Sequence, residues 1–263
     1  MNDILEKLDE VWGEIRKEAE SVAEKEPALT SLFEDVILSR ATLFEAIGCR
    51  IARKFAAKAM PESLVREIFV YVCSRNEDVR RNILRDIVAI YDRDPACSSY
   101  LEPVMYFKGF QAICVHRMAH VLWNAGRRHL ALYFQSLSSE IYGVDIHPAA
   151  KFGGGILLDH ATSFVAGETS VVEDDVSILH EVTLGGTSTE CGDRHPKVRS
   201  GVLIGAGAKL LGNIEIGMGA KIGAGSVVLC DVPAHTTVAG VPAKSICSSK
   251  ETMPSLNMNQ HLE

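Results

Sequence analysis

Three short clusters in this chain set a carboxylate next to an imidazole. Asp145 and His147 lie in VDIHP, Asp159 and His160 in LLDHA, and Asp193, Arg194 and His195 in GDRHP. A carboxylate beside an imidazole raises its pKa and fixes its tautomer, which suits a general base working near neutral pH. On a polar surface the ordinary fate of a single charged residue is to be solvated, so the grouping is what singles these residues out. His116 and His120 form a further pair, HxxxH on an expected helix, with the i, i+4 spacing of two metal ligands. No acidic or cysteine ligand accompanies them, and packing in a core or interface is the favoured reading. The chain has no GxSxG, no Walker A and no GxGxxG in a strand-turn-helix context, so no covalent enzyme intermediate is expected.

The elements that must position these residues differ along the chain. Of the 21 glycines, 4 fall in residues 1–140 and 17 in residues 141–263, which joins two architectures near Gly143. The first part reads as helix. Phe110, Ile113, Cys114, Met118, Val121 and Leu122 recur at steps of three and four, as do Val79, Ile83, Ile87 and Ile90, and Leu130, Phe134, Leu137 and Ile141. Pro27, Pro61, Pro95 and Pro103 stand between such runs as expected breakers, and about six helices follow from this reading.

The second part falls into sixes. From Val202 the hexads are VLIGAG, AKLLGN, IEIGMG, AKIGAG, SVVLCD, VPAHTT and VAGVPA, and earlier Ile146, Phe152, Leu158, Phe164, Val176 and Val182 keep the same spacing, broken only at Ser170. A six-residue repeat with a small or aliphatic residue inward and Gly, Asn or Asp at the bend builds a triangular parallel β-helix. Three hexads close one coil, and stacked coils bury the aliphatic column while their backbone groups pair. Fourteen hexads imply four to five coils. The period breaks between Val182 and Ile204, 22 residues apart, so GGTSTECGDRHPKVRSG is expected to bulge out as a loop, and long excursions of this kind are usually functional. Asp145 and His160, 15 residues apart, are expected on neighbouring coils within reach of each other.

Composition narrows the function classes. The net charge is −7 and 47% of residues are hydrophobic, enough for one large domain or two small ones. With no Lys/Arg-rich block, nucleic acid and anionic membranes are poor partners. Neither a signal peptide nor a transmembrane span is expected. The 7 cysteines, odd in number and never in CxxC, fit a reducing cytosol.

The motifs DIHPAA (145–150), LDHAT (158–162), CGDRHPK (191–197), GAGAKLLGNIEIG (205–217) and AGVPAK (239–244), with RDPA (93–96) and YFKGFQA (106–112) in the helical part, make the chain resemble the bacterial serine O-acetyltransferases of the hexapeptide-repeat superfamily over nearly its whole length. The resemblance implies an α + β fold, with an N-terminal all-helical domain (1–143), a left-handed parallel β-helix (144–247) with one extruded loop (185–201), and a C-terminal tail (248–263). It implies transfer of the acetyl group of acetyl-CoA to L-serine for cysteine synthesis in the cytoplasm. His160 would be the base, oriented by Asp145, and Asp94, Asp159, Arg194 and His195 would hold serine, with His195 also counted as catalytic. Backbone N–H groups of Gly185 and Gly186 are expected oxyanion donors. Acetyl-CoA is expected along Thr187, Ala206 and Ala224, with Lys221 and Lys244 toward its phosphates, and no metal or permanently bound cofactor is expected.

The resemblance also implies inhibition by L-cysteine and a homotrimer that pairs into a homohexamer. A β-helix of this length would expose flat apolar sides, which itself argues for more than a monomer. The tail SLNMNQHLE has no terminal Ile, which many relatives insert into the next enzyme of the pathway, so a complex with O-acetylserine sulfhydrylase stays open. Rival readings are an acetyltransferase acting on a sugar or antibiotic, a β-helical zinc hydratase using His160, His180 and His195, and a non-catalytic scaffold.

Overall fold

The computed structural model describes residues 2–57, 60–187, 191–248 and 251–262; positions 188–190 of the expected loop and 249, 250 and 263 of the expected tail lie outside the described residues. The first half is helical: α1 (Asn2–Lys25), α2 (Thr30–Phe33), α3 (Leu43–Phe55), α4 (Glu62–Arg75), α5 (Glu77–Arg93), α6 (Leu101–Met105), α7 (Lys108–Asn124) and α8 (Arg128–Tyr142), with a short α9 (Pro254–Asn257) in the tail. The three apolar stripes fall on α5, α7 and α8, and Ile83, Ile87, Ile113, Cys114, Met118 and Phe134 are buried. Pro103 departs from its expected role as a breaker. It sits in the first turn of α6, where its missing N–H would have had no helical partner.

From Val144 the chain forms three sheets. The first contains β1 (Val144–Ile146), β4 (Phe164–Ala166), β7 (Thr183–Gly185), β10 (Lys209–Leu211) and β13 (Val227–Val228). The second contains β2 (Lys151–Phe152), β5 (Val171–Val172), β8 (Lys197–Val198) and β11 (Glu215–Ile216). The third contains β3 (Leu157–Leu158), β6 (Ser177–Ile178), β9 (Leu203–Ile204), β12 (Lys221–Ile222), β14 (Thr236–Gly240) and β15 (Ala243–Ser248). Neighbours in each sheet run parallel except β14 and β15, so the second half is a parallel β-helix of about five turns. The last hexad opens no new turn. The chain reverses after Gly240, and a register shift between Thr237 and Val238 bends the final antiparallel pair, which blunts the open edge.

The pairing corrects the uniform spacing of six in the first turn. Val165 pairs with Thr183 and Leu203 with Lys221, steps of 18, but Val144 pairs with Phe164, Lys151 with Val171 and Leu157 with Ser177, steps of 20. Ile146 therefore lies opposite Ala166 rather than Phe164. The two additional residues sit in the corner Asp159–Ser163, between β3 and β4. One turn on, Thr183 pairs with Lys209, a step of 26, which accommodates the extruded segment. That segment runs from Gly186 to Pro196, shorter than the expected 185–201, because Lys197 is already in β8.

The helical half is docked onto the third sheet and the corner below it. Leu157, Ser177, Leu203, Lys221 and Thr237 point outward from that sheet, yet all are buried. The tail contributes to the cover, since Ser177 donates to the Ser255 carbonyl at 2.9 Å. A buried ion pair fixes α5 and α7 to the first turn. Arg117 grips Asp86 with two nitrogens at 2.7–3.0 Å and donates to the Phe152 and Gly153 carbonyls, while Asp86 accepts from the Ile156 N–H at 2.9 Å. Removing one partner of such a pair strands a buried charge and costs about 3–5 kcal/mol.

Candidate active site

The expected site residues collect at two corners of the β-helix, at opposite ends of the first sheet's strands. The corner leading from the third sheet into the first holds His160. Its strands pair Leu158 with Ile178, Ile178 with Ile204 and Ile204 with Ile222. Two residues further along each chain segment, His160, His180, Ala206 and Ala224 follow one another in successive turns. The His160 and His180 rings meet edge to face at 5.7 Å. Beyond them the two small alanines continue the same corner, which climbs about 14 Å over three turns.

His160 opens onto a cleft of about 310 Å³ lined by Ile90, Asp94, Tyr106, Lys108, Asp159 and neighbouring residues. Asp94 follows the C-terminus of α5 and accepts the Ala96 N–H at 2.9 Å. The His160 side chain is 73% exposed, and its Nε2 stands 3.7 Å from Asp159 Oδ2. Burial pushes the Asp159 carboxyl above the usual carboxylate range; His160 opposes this and Asp94 adds to it. Two carboxylates sharing a half-buried cleft favour a cationic ligand group between them.

The second corner, from the first sheet into the second, holds the rest. Arg194 donates to Glu168 Oε2 at 2.7 Å and to the Gly192 carbonyl at 3.0 Å. His195 lies over Gly167, where a Cβ would come within 1.9 Å of its Nε2, so only glycine admits the ring. The Thr169 N–H donates to His195 Nδ1 at 3.2 Å, which leaves the proton of the neutral ring on Nε2. Burial, then Arg194 and Lys197, hold the His195 pKa below the ordinary histidine value. Gly185 ends β7 at this corner, with Gly186 and Thr187 just beyond. Within this chain the expected oxyanion donors are therefore at the other end of the first sheet's strands from His160.

Asp145, on β1 between the corners, accepts from Gln135 Nε2 at 2.7 Å. Among the described residues, the carboxylate within 4 Å of His160 is that of Asp159, not Asp145. The expected pairing of Asp145 with His160 is thus not made in this geometry, in which Asp145 is turned to Gln135. Lys221 is also placed differently from the expectation: it is buried and donates to the His261 carbonyl at 3.0 Å, inside the fold of the tail. Lys244 is exposed on β15 opposite Ala239. His195 stands at the second corner, so the zinc trio of His160, His180 and His195 does not converge within this chain. His116 is buried with its ring edge against Phe152, and His120 bonds the Pro148 carbonyl and Asn124.

Several contributors escaped the sequence reading of single residues. Lys108 donates to Thr162 Oγ1 at 2.6 Å at the rim of the cleft, and Glu168, Thr169 and Gln135 hold Arg194, His195 and Asp145. Lys108 and Thr162 lie inside the quoted motifs YFKGFQA and LDHAT, which was the available signal.

Comparison with known proteins agrees with this architecture. Residues 11–114 match the family described as serine acetyltransferase, N-terminal, and residues 195–230 match the bacterial transferase hexapeptide repeats. The serine acetyltransferase of Salmonella typhimurium is 50% identical over 97% of this chain and 94% of its own. A serine acetyltransferase solved in complex with cysteine is 52% identical, with a TM-score of 0.94 over 96% of this chain and 98% of that one. The serine acetyltransferase from Brucella abortus strain S19, solved with coenzyme A, is 51% identical, with a TM-score of 0.91 over 93% of this chain and 98% of that one. On the matched repeats, the helical half and this identity over nearly the full length, the chain belongs to the serine acetyltransferase family.

Proposed function

We propose that the chain transfers the acetyl group of acetyl-CoA to the hydroxyl of L-serine by direct attack, giving O-acetyl-L-serine and CoA, with His160 as the base. The observation that carries this reading is the cleft in which an exposed imidazole faces Asp94 and Asp159. Those carboxylates suit the serine ammonium, and His160 takes the hydroxyl proton as the oxygen attacks the thioester carbonyl. The C–S bond then breaks, and the proton passes to the departing sulfur. A thioester is already activated, so alignment, a base and oxyanion donors suffice. Ala206 and Ala224 lie on the same corner as His160, and their small side chains support that corner as the bed for the pantetheine arm. Lys244 suits the phosphates better than Lys221, whose ammonium is engaged by the tail.

The substrate carboxylate needs a partner, and Arg194 suits it as a bidentate donor. In our reading, a second copy brings its Gly185–Gly186 turn, Thr187, Arg194 and His195 against the His160 corner of the first, and three copies close a ring. Two such trimers would pair through the helical halves into a hexamer. Asp145 would orient His160 once released from Gln135. L-cysteine shares the ammonium and carboxylate of serine, so the same groups would hold it as a competitive inhibitor; the relative solved with cysteine supports this. Among the described residues no helix is long and apolar enough to cross a membrane, and the cysteines are free, in line with a cytoplasmic enzyme. Thiol release from acetyl-CoA across a panel of amino acids and sugars tests the reading. Serine should be strongly preferred and cysteine should compete with it; preference for a sugar would overturn it.

A further inference from the structure

The corner that carries His160 is held in an unusual backbone state. His160, Ala161 and Ser163 have φ of 54°, 61° and 61°, a left-handed conformation that residues with a Cβ keep only when their surroundings over-determine it. The His160 side chain is largely exposed, with the Asp159 carboxylate 3.7 Å away and the His180 ring edge to face, so its own contacts hold its direction only loosely. Its aim is inherited from the corner.

Several contacts hold that corner. Ser163 N–H donates to the Gly143 carbonyl at 2.8 Å, and Glu181 N–H donates to the Thr162 carbonyl at 2.7 Å. On the inner side Ala161 is fully buried beneath the first turn of α7. A Cβ at Gly109 would lie 2.0 Å from the Leu158 carbonyl and 3.2 Å from Ala161 Cβ, so glycine alone lets the helix approach this closely. On the solvent side the Lys108 ammonium, one residue earlier on α7, donates to Thr162 Oγ1 at 2.6 Å. The two additional residues of the first turn thus form a raised corner gripped between Gly109 below and Lys108 above.

We propose that Lys108 is a positioning residue for acetyl transfer: its ammonium ties Thr162 to the first turn of α7 and so keeps the left-handed corner aiming His160 into the cleft. This rests on the reading of His160 as the base. Lys108 is also the cation at the rim of a cleft holding Asp94 and Asp159, so its charge and its hydrogen bond must be separated experimentally.

The test compares Lys108→Met, Lys108→Arg, Thr162→Val, Thr162→Ser and the Lys108→Met/Thr162→Val double variant in the full chain. Lys108→Met and Thr162→Val should each lower kcat roughly 10- to 100-fold, the scale of a misaligned reacting group, with both KM values within about threefold of wild type. The double variant should be no worse than the worse single, because both remove one bond. Lys108→Arg and Thr162→Ser, which keep a donor and a hydroxyl, should recover most of kcat. Melting temperatures and oligomeric state, measured alongside, separate lost folding from lost alignment. Thr162→Val with wild-type kcat would overturn the proposal. So would Lys108→Met acting only by raising the acid-limb pKa of kcat/KM, since that effect belongs to the charge. His160→Asn in the same assay keeps the two ideas apart: full activity there would mean the base is misassigned, whereas an inactive His160→Asn beside an unimpaired Thr162→Val would remove Lys108 alone.

Discussion

The corners at the two ends of the first sheet grow from the same hexad repeat, yet they hold their functional side chains in opposite ways. At the corner of Asp159–Ser163 the imidazole is open to solvent, the backbone is forced into a left-handed conformation, and the column above it shrinks to alanine. At the corner of Gly186–Pro196 two of the site side chains already have partners: Arg194 has Glu168 and His195 has Thr169. In the proposed reaction the first corner would receive substrate and do the chemistry, and the second would supply donors to it. Neither grips both charged ends of an amino acid. A β-helix can make such a division because its corners repeat along an edge, while the strands between them keep the two edges apart.

The largest effect should come from the open corner. His160→Asn is expected to cut turnover by about two to four orders of magnitude with little change in CoA binding, measured by steady-state kinetics and calorimetry. Full activity between pH 6 and 8 would place the base elsewhere. A mixing experiment asks whether the corners act across protomers. His160→Asn and Arg194→Ala should each be nearly inactive, but oligomers assembled from equal amounts of both should regain roughly a quarter of wild-type turnover, the share of interfaces with two intact corners. No recovery would confine the site to a single chain.

A milder change probes the closed corner. Gly167→Ala places a Cβ where His195 Nε2 lies and should raise the KM for serine about tenfold, close to 1.4 kcal/mol, while the KM for acetyl-CoA stays near wild type. Equal effects on both substrates would show that His195 does more than hold serine.

The smallest expected effect lies away from both corners and serves as their control. Burial, with His120 and Arg117 adding to it, holds the His116 pKa well below that of a free histidine. A depressed folded pKa contributes stability above the unfolded value, about 6.5, and loses it as pH falls below that value. His116→Phe should therefore lose less melting temperature than wild type between about pH 7 and pH 5, with kcat unchanged. An identical pH slope in the two proteins would show that other groups set the acid limb.

Much of this molecule was legible in its residues alone. The apolar stripes of α5, α7 and α8 and the six-residue column are short-range patterns, and burial follows them because each element must hide one face whatever its neighbours are. The chemistry-bearing motifs were legible for the same reason, since Asp159 and His160, or Arg194 and His195, are adjacent in the chain. The longer first turn was not. Two extra residues preserve the alternation of inward and outward side chains, so Leu158 and Phe164 still point inward and the spacing of six continues undisturbed through a corner that has changed length. Also hidden, because each depends on how separate elements pack, were Asp145 turning to Gln135, the separation of Gly185 from His160, and the tail engaging Lys221. The bond from Lys108 to Thr162 joins residues 54 apart in the chain. It exists because the buried Asp86–Arg117 pair and the missing side chain at Gly109 set how closely α7 approaches the β-helix, and no local pattern records how two elements dock.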